Sequence, residues 1–315
     1  MRSPALQLPR RQRGAALLTA MVIVTLVATL AASMVWQQWR AVQAEGIERS
    51  RMQAAWILAG ALDWSRLILR EDARAGGPDH LGEPWAVPLA EARLSSFLAV
   101  DKDNTDDAPE AFLSGSITDA QARYNLRNLF QTGEGKVIPA ELAILKRLCD
   151  AAGIAGGVAD RIAGALAVAD QGGGGAGLMP ETVSQLAWLG FDADTLRRLE
   201  PLVVLLPART PVNLNTAASE VIAAVIPGIG RGDAERLVQV RQRTPFRTLA
   251  DALPSLPQGI ELAPSQVSTT SRYFDVQGRL RLGDRVLQEH SLLERRGTTI
   301  VAVRRERVNL SDPAS

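Results

Sequence analysis

The chain has 315 residues and a formal net charge of +1, with 35 Lys and Arg against 34 Asp and Glu. That balance is neither the basic excess of a general nucleic-acid binder nor the acidic composition of a solvating chain, and the apolar content suffices for one large core or two modest ones. A single cysteine, Cys149, excludes an intrachain disulfide, and His80 and His290 stand far apart without a Cys or second His at ligand spacing, which argues against zinc.

In chain order, Arg2, Arg10, Arg11 and Arg13 precede the run Ala15 to Trp36, which holds no charged side chain. At 1.5 Å per residue the run reaches roughly 33 Å, enough to cross a bilayer as a helix. The basic cluster keeps the N-terminus in the cytoplasm and sends the rest across, with Trp36 and Trp39 as interfacial anchors. The alternative is a cleaved secretory signal with a small-residue site at Ala31-Ala32-Ser33, although its apolar region would exceed the usual length. Residues 37 to 74 continue the helical pattern, with an apolar stripe at Ala55, Leu58, Leu62 and Leu67. Gly76-Gly77-Pro78 ends it, because proline cannot continue a helix.

Asp101, Asp103, Asn104, Asp106 and Asp107, with Glu110 behind, crowd hard oxygen ligands into one loop. Calcium is the cofactor such a loop would take, with Asp101, Asp103, Asp106 and Asp107 as its ligands. A solvated acidic loop is the other reading. The EF-hand pattern fails, with Thr105 at the fifth position, no glycine at the sixth and no glutamate at the twelfth.

Phe112 to Phe130 reads as a strand, a turn and a helix start. A helical pattern then runs from Pro139 to about Leu206, broken by a flexible loop at Gly172 to Gly175 and by Pro180. Cys149, among Leu142, Leu145 and Leu148, reads as a small buried hydrophobe.

Val212 to Leu249 has the pattern of a helix-hairpin-helix module. Pro227-Gly228-Ile229-Gly230 forms the tight turn, Asn215-Thr216-Ala217 caps the first helix, and Ala234 and Leu237 pack the second against it. Gly153-Ile154, Gly157, Ala159, Arg161 and Ile162 form a fainter copy in register with Gly228-Ile229, Gly232, Ala234, Arg236 and Leu237. Such hairpins bind DNA through backbone amides, with Arg231, Arg236, Arg241, Arg243 and Arg247 available to add charge. Asp233 and Glu235, directly after the turn, favour instead a compact protein-contact module.

From Arg272 onward strands are expected at Arg272 to Val276, Arg285 to Leu293 and Thr298 to Arg307, with Gly278, Gly283 and Gly297 as turns. No nucleophile elbow, phosphate loop or HExxH motif occurs, and the chain does not read as an enzyme.

Arg13-Gly14 followed directly by Ala15-Ala16-Leu17-Leu18 resembles a type III (prepilin) signal. In that family a membrane peptidase cuts after the glycine and methylates the new N-terminus, here between Gly14 and Ala15. Most pilin-like proteins carry glutamate at the fifth mature position, where this chain has Thr19; the K-type minor pseudopilins of type II secretion lack it too. Together with the segment Asp119 and Arg123-Tyr124-Asn125-Leu126 and with the hairpin module, the whole chain resembles that K-type family. The resemblance implies an α+β fold, with a pilin-like long N-terminal helix, transmembrane in its first half, an antiparallel sheet, and a large all-α helix-hairpin-helix-like insert. The expected division is a leader at 1–14, a membrane helix at 15–36, a pilin-like helix and first strands at 37–125, the insert at 126–264 and C-terminal strands at 265–315.

It further implies a single-pass protein of the bacterial inner membrane with a periplasmic globular part, at the tip of the pseudopilus. There it would begin pseudopilus assembly and support export of folded proteins across the outer membrane. Its partners would be the I-type and J-type minor pseudopilins, the major pseudopilin, the inner-membrane secretion platform and the prepilin peptidase, with Gly228, Ile229 and Gly230 as a protein-contact motif and nucleic acid not expected. Some K-type members bind calcium in this domain. The competing function is a membrane-anchored helix-hairpin-helix DNA receptor of the competence type.

Overall fold

A computed structural model describes residues 13–94, 111–131, 134–171, 178–283 and 285–311. The acidic loop with Asp101, Asp103, Asp106 and Asp107, the leader before Arg13 and the Gly172 to Gly175 run lie outside these residues. The chain divides into two compact units, Met1–Ile57 and Leu58–Ser315.

The described residues of the first unit form one continuous stretch of the helix α1 (Arg13–Ala75). Its apolar side chains from Leu17 to Val42 are exposed all round, as befits a helix solvated by hydrocarbon. Four hydroxyls in this stretch are satisfied by the helix itself: Thr19 donates to the Ala15 carbonyl at 2.9 Å, Thr25 to Val22 at 2.9 Å, Thr29 to Leu26 at 2.9 Å and Ser33 to Leu30 at 2.8 Å. Hydroxyls that bond back onto the preceding turn cost little in lipid.

In the second unit the end of α1 lies on one face of a five-stranded antiparallel sheet of order β1-β2-β7-β8-β9. The strands are β1 (Leu89–Arg93), β2 (Ala111–Asp119), β7 (Tyr273–Leu282), β8 (Arg285–Arg296) and β9 (Thr299–Ser311). The buried stripe of the helix runs through Leu58, Leu62, Ser65 and Leu69. Leu67, expected in that stripe, is only half-buried, because the 3.6-residue period carries the inner face from Leu62 to Ser65 and Leu69. Trp85 fills the core against Phe274, ring centres 5.3 Å apart and edge to face, with Ile117, Val276 and Leu293 around them.

Gly283 (φ +56°) and Gly297 (φ +60°) make the expected turns, but Gly278 does not. It lies inside β7, paired with Gly115 of β2 and Glu289 of β8. A Cβ on Gly115 would stand 2.7 Å from the Gln277 carbonyl and one on Gly278 3.3 Å from Leu58, so these glycines admit close backbone and helix approach. The strand therefore continues to Leu282, and β1, which the sequence pattern did not mark, adds an edge. At the other edge, Arg305 and Arg307 of β9 pair with the buried Glu289 at 2.7 and 2.6 Å. Charged side chains on an edge strand keep it from recruiting another.

The chain between β2 and β7 forms the helical block. It contains α2 (Pro139–Ala151), α3 (Val158–Gln171), α4 (Ala193–Leu199), α5 (Ser219–Val225), α6 (Arg231–Arg243) and the short α7 (Leu249–Ala252). Its core gathers Leu145, Leu148 and Cys149 of α2, Ile162 and Leu166 of α3, Val221 and Ile222 of α5, and Ala234 and Leu237 of α6. Two short parallel pairs lace it together: β3 (Tyr124–Asn125) with β4 (Val203–Val204), and β5 (Val212–Asn213) with β6 (Val267–Ser268). The helical pattern thus ends before Val203, and Tyr124-Asn125 is a strand followed by a 3-10 turn at Leu126–Leu129 rather than a helix start.

Candidate functional site

Three places could carry function: the start of α1, the hairpin turn, and the buried seam where the sheet meets the helical block. At the first, Gly14 and Ala15 are helical, and the Thr19 hydroxyl closes onto the Ala15 carbonyl one turn back.

At the second, α5 and α6 enclose the turn Pro227-Gly228-Ile229-Gly230, with Gly228 at φ +84°, where a Cβ would be strained. The Gly230 N–H, the first free donor of α6, is taken by the Asp233 carboxylate at 3.1 Å. This one-way cap places a carboxylate at the helix N-terminus, where an anionic ligand would otherwise sit. Arg231 is held by Glu220 and Glu235, each at 2.9 Å, and Arg236 stands 3.7 Å from Asp233. Arg241 turns inward to the Leu214 carbonyl, and burial pulls its guanidinium down to about 10. Three of the five arginines offered for DNA are therefore engaged within the module.

The fainter copy is a second hairpin, α2 and α3, with Gly153 at φ +64° in its turn. Arg147 of α2 donates to the Ala224 carbonyl of α5 at 2.7 Å, tying the two hairpins side by side. Cys149 is buried between them, and burial pushes its thiol up to about 11, so it is inert packing. Asn215-Thr216-Ala217 does not cap α5; Ala218 precedes that helix. Asn215 instead brackets Phe246, donating to its carbonyl and accepting from its N–H at 2.9 Å each, and Thr216 reaches across to Asp119. In this buried segment the side chains serve long-range partners, leaving none for the local helix.

The third place was not visible as a site in the sequence. Asp119, at the end of β2, is 4% exposed and accepts from Thr216 Oγ1 and Ser271 Oγ at 2.6 Å each, Asn213 Nδ2 at 2.9 Å and the Gln121 N–H at 2.8 Å. Burial pushes its carboxyl up, and the bonds from Ser271, Thr216 and Gln121 pull it back. Asn213 also donates to the Asp79 carbonyl at 3.0 Å. The Asp79 carboxylate in turn accepts from the Ser271 N–H at 2.6 Å and from Arg295 at 2.5 Å. One connected polar network thus fastens α1's end, the sheet and the helical block. Asp119, Asn213 and Thr216 lay in segments that the sequence marks, though for other roles; Asp79, Ser271 and Arg295 carry no local signal.

A family model described as "Type II secretion system (T2SS), protein K" matches residues 212–270, and a second model with the same description matches residues 122–208. The chain is 31% identical to the type II secretion system protein K of Pseudomonas aeruginosa over 305 residues, covering 88% of this chain and 86% of that one. It is 28% identical to the proteins of the same name from Pectobacterium carotovorum and Klebsiella pneumoniae, in each case covering 94% of this chain and 96% of the relative. Among solved structures, one chain of the GspK-GspI-GspJ complex from enterotoxigenic Escherichia coli superposes with a TM-score of 0.61 at 18% identity, covering 83% of this chain and 98% of that one.

Proposed function

Because this chain belongs to the type II secretion system protein K family and is a minor pseudopilin, we propose that it occupies the tip of the pseudopilus, begins pseudopilus assembly and supports export of folded proteins across the outer membrane. The observation that carries this reading is the helical block between β2 and β7, whose two hairpins share one core. A subunit stacked above such a block would have to clear it, so a filament tolerates it only at an end.

The start of α1 supports the same place. A glutamate at the fifth mature position is costly in lipid unless a neighbouring subunit supplies an ammonium partner. Thr19 needs none, since its hydroxyl is satisfied within its own helix at 2.9 Å. In this reading a prepilin peptidase cuts between Gly14 and Ala15 and methylates Ala15, and α1 holds the protein in the inner membrane with its N-terminus cytoplasmic and its globular part periplasmic. The solved relative is complexed with GspI and GspJ, and the corresponding I-type and J-type minor pseudopilins are the proposed partners here, followed by the major pseudopilin and the secretion platform.

The test is N-terminal and intact-mass analysis of the protein from membranes, with and without the prepilin peptidase, joined to co-purification with the I-type and J-type subunits. A mature methylated Ala15 that depends on the peptidase, in a complex containing both subunits, is expected. An uncut chain, or a start after Ala32 or Ser33, overturns the reading. Salt-dependent binding of duplex DNA that is present at physiological ionic strength would shift the function to a competence-type receptor; the Asp233 cap on Gly230 argues for the protein-contact role.

A further inference from the structure

Around the end of α1 the carboxylates of Asp72, Asp79 and Glu83 come within 4.8 Å of one another. One guanidinium serves them: Arg295, at the end of β8, donates to Asp72 at 2.8 Å and to Asp79 at 2.5 Å, and also to the Ser271 carbonyl at 2.6 Å. The side chains of Asp72, Asp79 and Arg295 are 12%, 2% and 14% exposed, so this is a group sheltered from water. Three ionised carboxylates against one guanidinium leave negative charge uncompensated in such a place, and a bound proton relieves it.

We propose that these four residues form a proton-operated latch, in which a proton on Asp72, facing Glu83, holds the His80–Trp85 turn against the ends of α1 and β8. The turn is hung from a pair of left-handed glycines, Gly76 (φ +68°) and Gly77 (φ +116°), which give it a pivot. Glu83 accepts from the His80 N–H at 2.9 Å and from Trp85 Nε1 at 2.7 Å, so its position sets that of the indole buried against Phe274. Asp79 is fixed independently through Ser271, Thr269 and Asn213, and serves as the anchor.

The charged groups that face Asp72 are Glu83 and Asp79 from the turn and Arg295 from β8, with Asp119 of β2 behind Asp79. On α1 itself Glu71 is engaged by Arg74 at 2.7 Å, and the His80 ring accepts from the Gly82 N–H. Burial first, and then the like charge of Glu83, raise the Asp72 carboxyl from the usual 3.8 to about 6, while Arg295 opposes them. The folded chain therefore holds this proton to a higher pH than the unfolded chain does. The stabilisation is fully present below about pH 4 and is lost as the pH rises through about 6.

The test is urea unfolding of the full chain in detergent across pH 4 to 8, for the native sequence and for Asp72→Asn. Relative to Asp72→Asn, the native unfolding constant is expected to rise by up to about tenfold per pH unit between about 4 and 6 and to run parallel above. Curves that stay parallel throughout overturn the latch. Should Asp72→Asn fail to fold, Glu83→Gln removes the like charge and moves the break in the curve to lower pH; a break that stays near 6 overturns the proposal. Added calcium at pH 7.5 is expected to leave both proteins unchanged, and a calcium-dependent stabilisation lost in Asp72→Asn would make the cluster a cation site instead.

Discussion

The first unit and the sheet-to-helix seam of the second solve one problem, the burial of polar side chains, in opposite ways. Thr19, Thr25, Thr29 and Ser33 each bond to a carbonyl three or four residues back. Asp119 reaches Asn213, Thr216 and Ser271, which lie 94, 97 and 152 positions away. A helix in hydrocarbon finds no reliable partner outside itself, whereas a folded domain can afford to join distant segments through one carboxylate. The local solution asks nothing of other segments; the distant one joins the sheet to the helical block.

The largest effect should follow from breaking the distant solution at its centre. Asp119→Ala strips an acceptor from two hydroxyls, an amide and a backbone N–H in a site that water does not reach. A loss of about 3–5 kcal/mol is expected in urea unfolding, the range for a broken buried charge network. Asp119→Asn keeps the shape and one acceptor, and should lose less. If alanine costs under about 1 kcal/mol, the seam is solvated in solution and the contrast between the two units fails.

Next in size is Gly278→Val, which asks whether a residue that looks like local punctuation is in fact a long-range contact. Its Cβ position is already 3.3 Å from Leu58 of α1, and the added methyls have nowhere to go but into the helix. The expected cost is about 1–3 kcal/mol, as for other overpacked sites, with the same unfolding experiment as the readout. Gly283→Val would probe a true turn, where the strain comes from φ +56° rather than from a neighbour.

This pair of glycines shows what the sequence could and could not disclose. The membrane-length run, the helix stop at Gly76-Gly77-Pro78, the hairpin turn and most of the C-terminal strands were legible, because each is dictated by residues within a few positions of one another. Gly278 was misread since a glycine in a turn and a glycine under a helix look alike until the partner Leu58, far back in the chain, is in place. Asn215 and Thr216 were misread for the related reason that polar residues ahead of a helix are usually its cap, and here Phe246 and Asp119 claim them. Strand β1 escaped because its pattern LAEAR is short, exposed and rich in weak strand formers. The seam, built of single residues drawn from distant parts of the chain, had no periodicity to reveal it.

A smaller effect is expected at the hairpin turn, where local and distant devices meet. Asp233→Ala removes the cap from Gly230 and frees Arg236, and should cost about 0.5–2 kcal/mol. The same change exposes the first N–H of α6, so it also sharpens the functional comparison. If the hairpin is a protein-contact module, association with the I-type and J-type subunits should weaken only in step with stability, and duplex DNA should gain no more than weak, salt-sensitive binding, measured by fluorescence anisotropy in low and physiological salt.

The smallest effect belongs to the local solution. Thr19→Ala deletes a hydroxyl that bonds to its own helix, at 2.9 Å from the Ala15 carbonyl, and alanine is the better helix former. Membrane insertion, cleavage after Gly14 and recovery of the complex should change by less than about 0.5 kcal/mol in equivalent terms. Quantifying mature protein and co-purified partners from the same membranes checks this directly. Thr19→Glu is the informative companion, since it places a carboxylate in lipid with no partner on its own helix. At a tip position it should lower the yield of assembled complex, because no subunit above offers an ammonium. Should Thr19→Glu instead assemble better than the native chain, a neighbour must be present to neutralise it, and the chain would belong inside the filament rather than at its end.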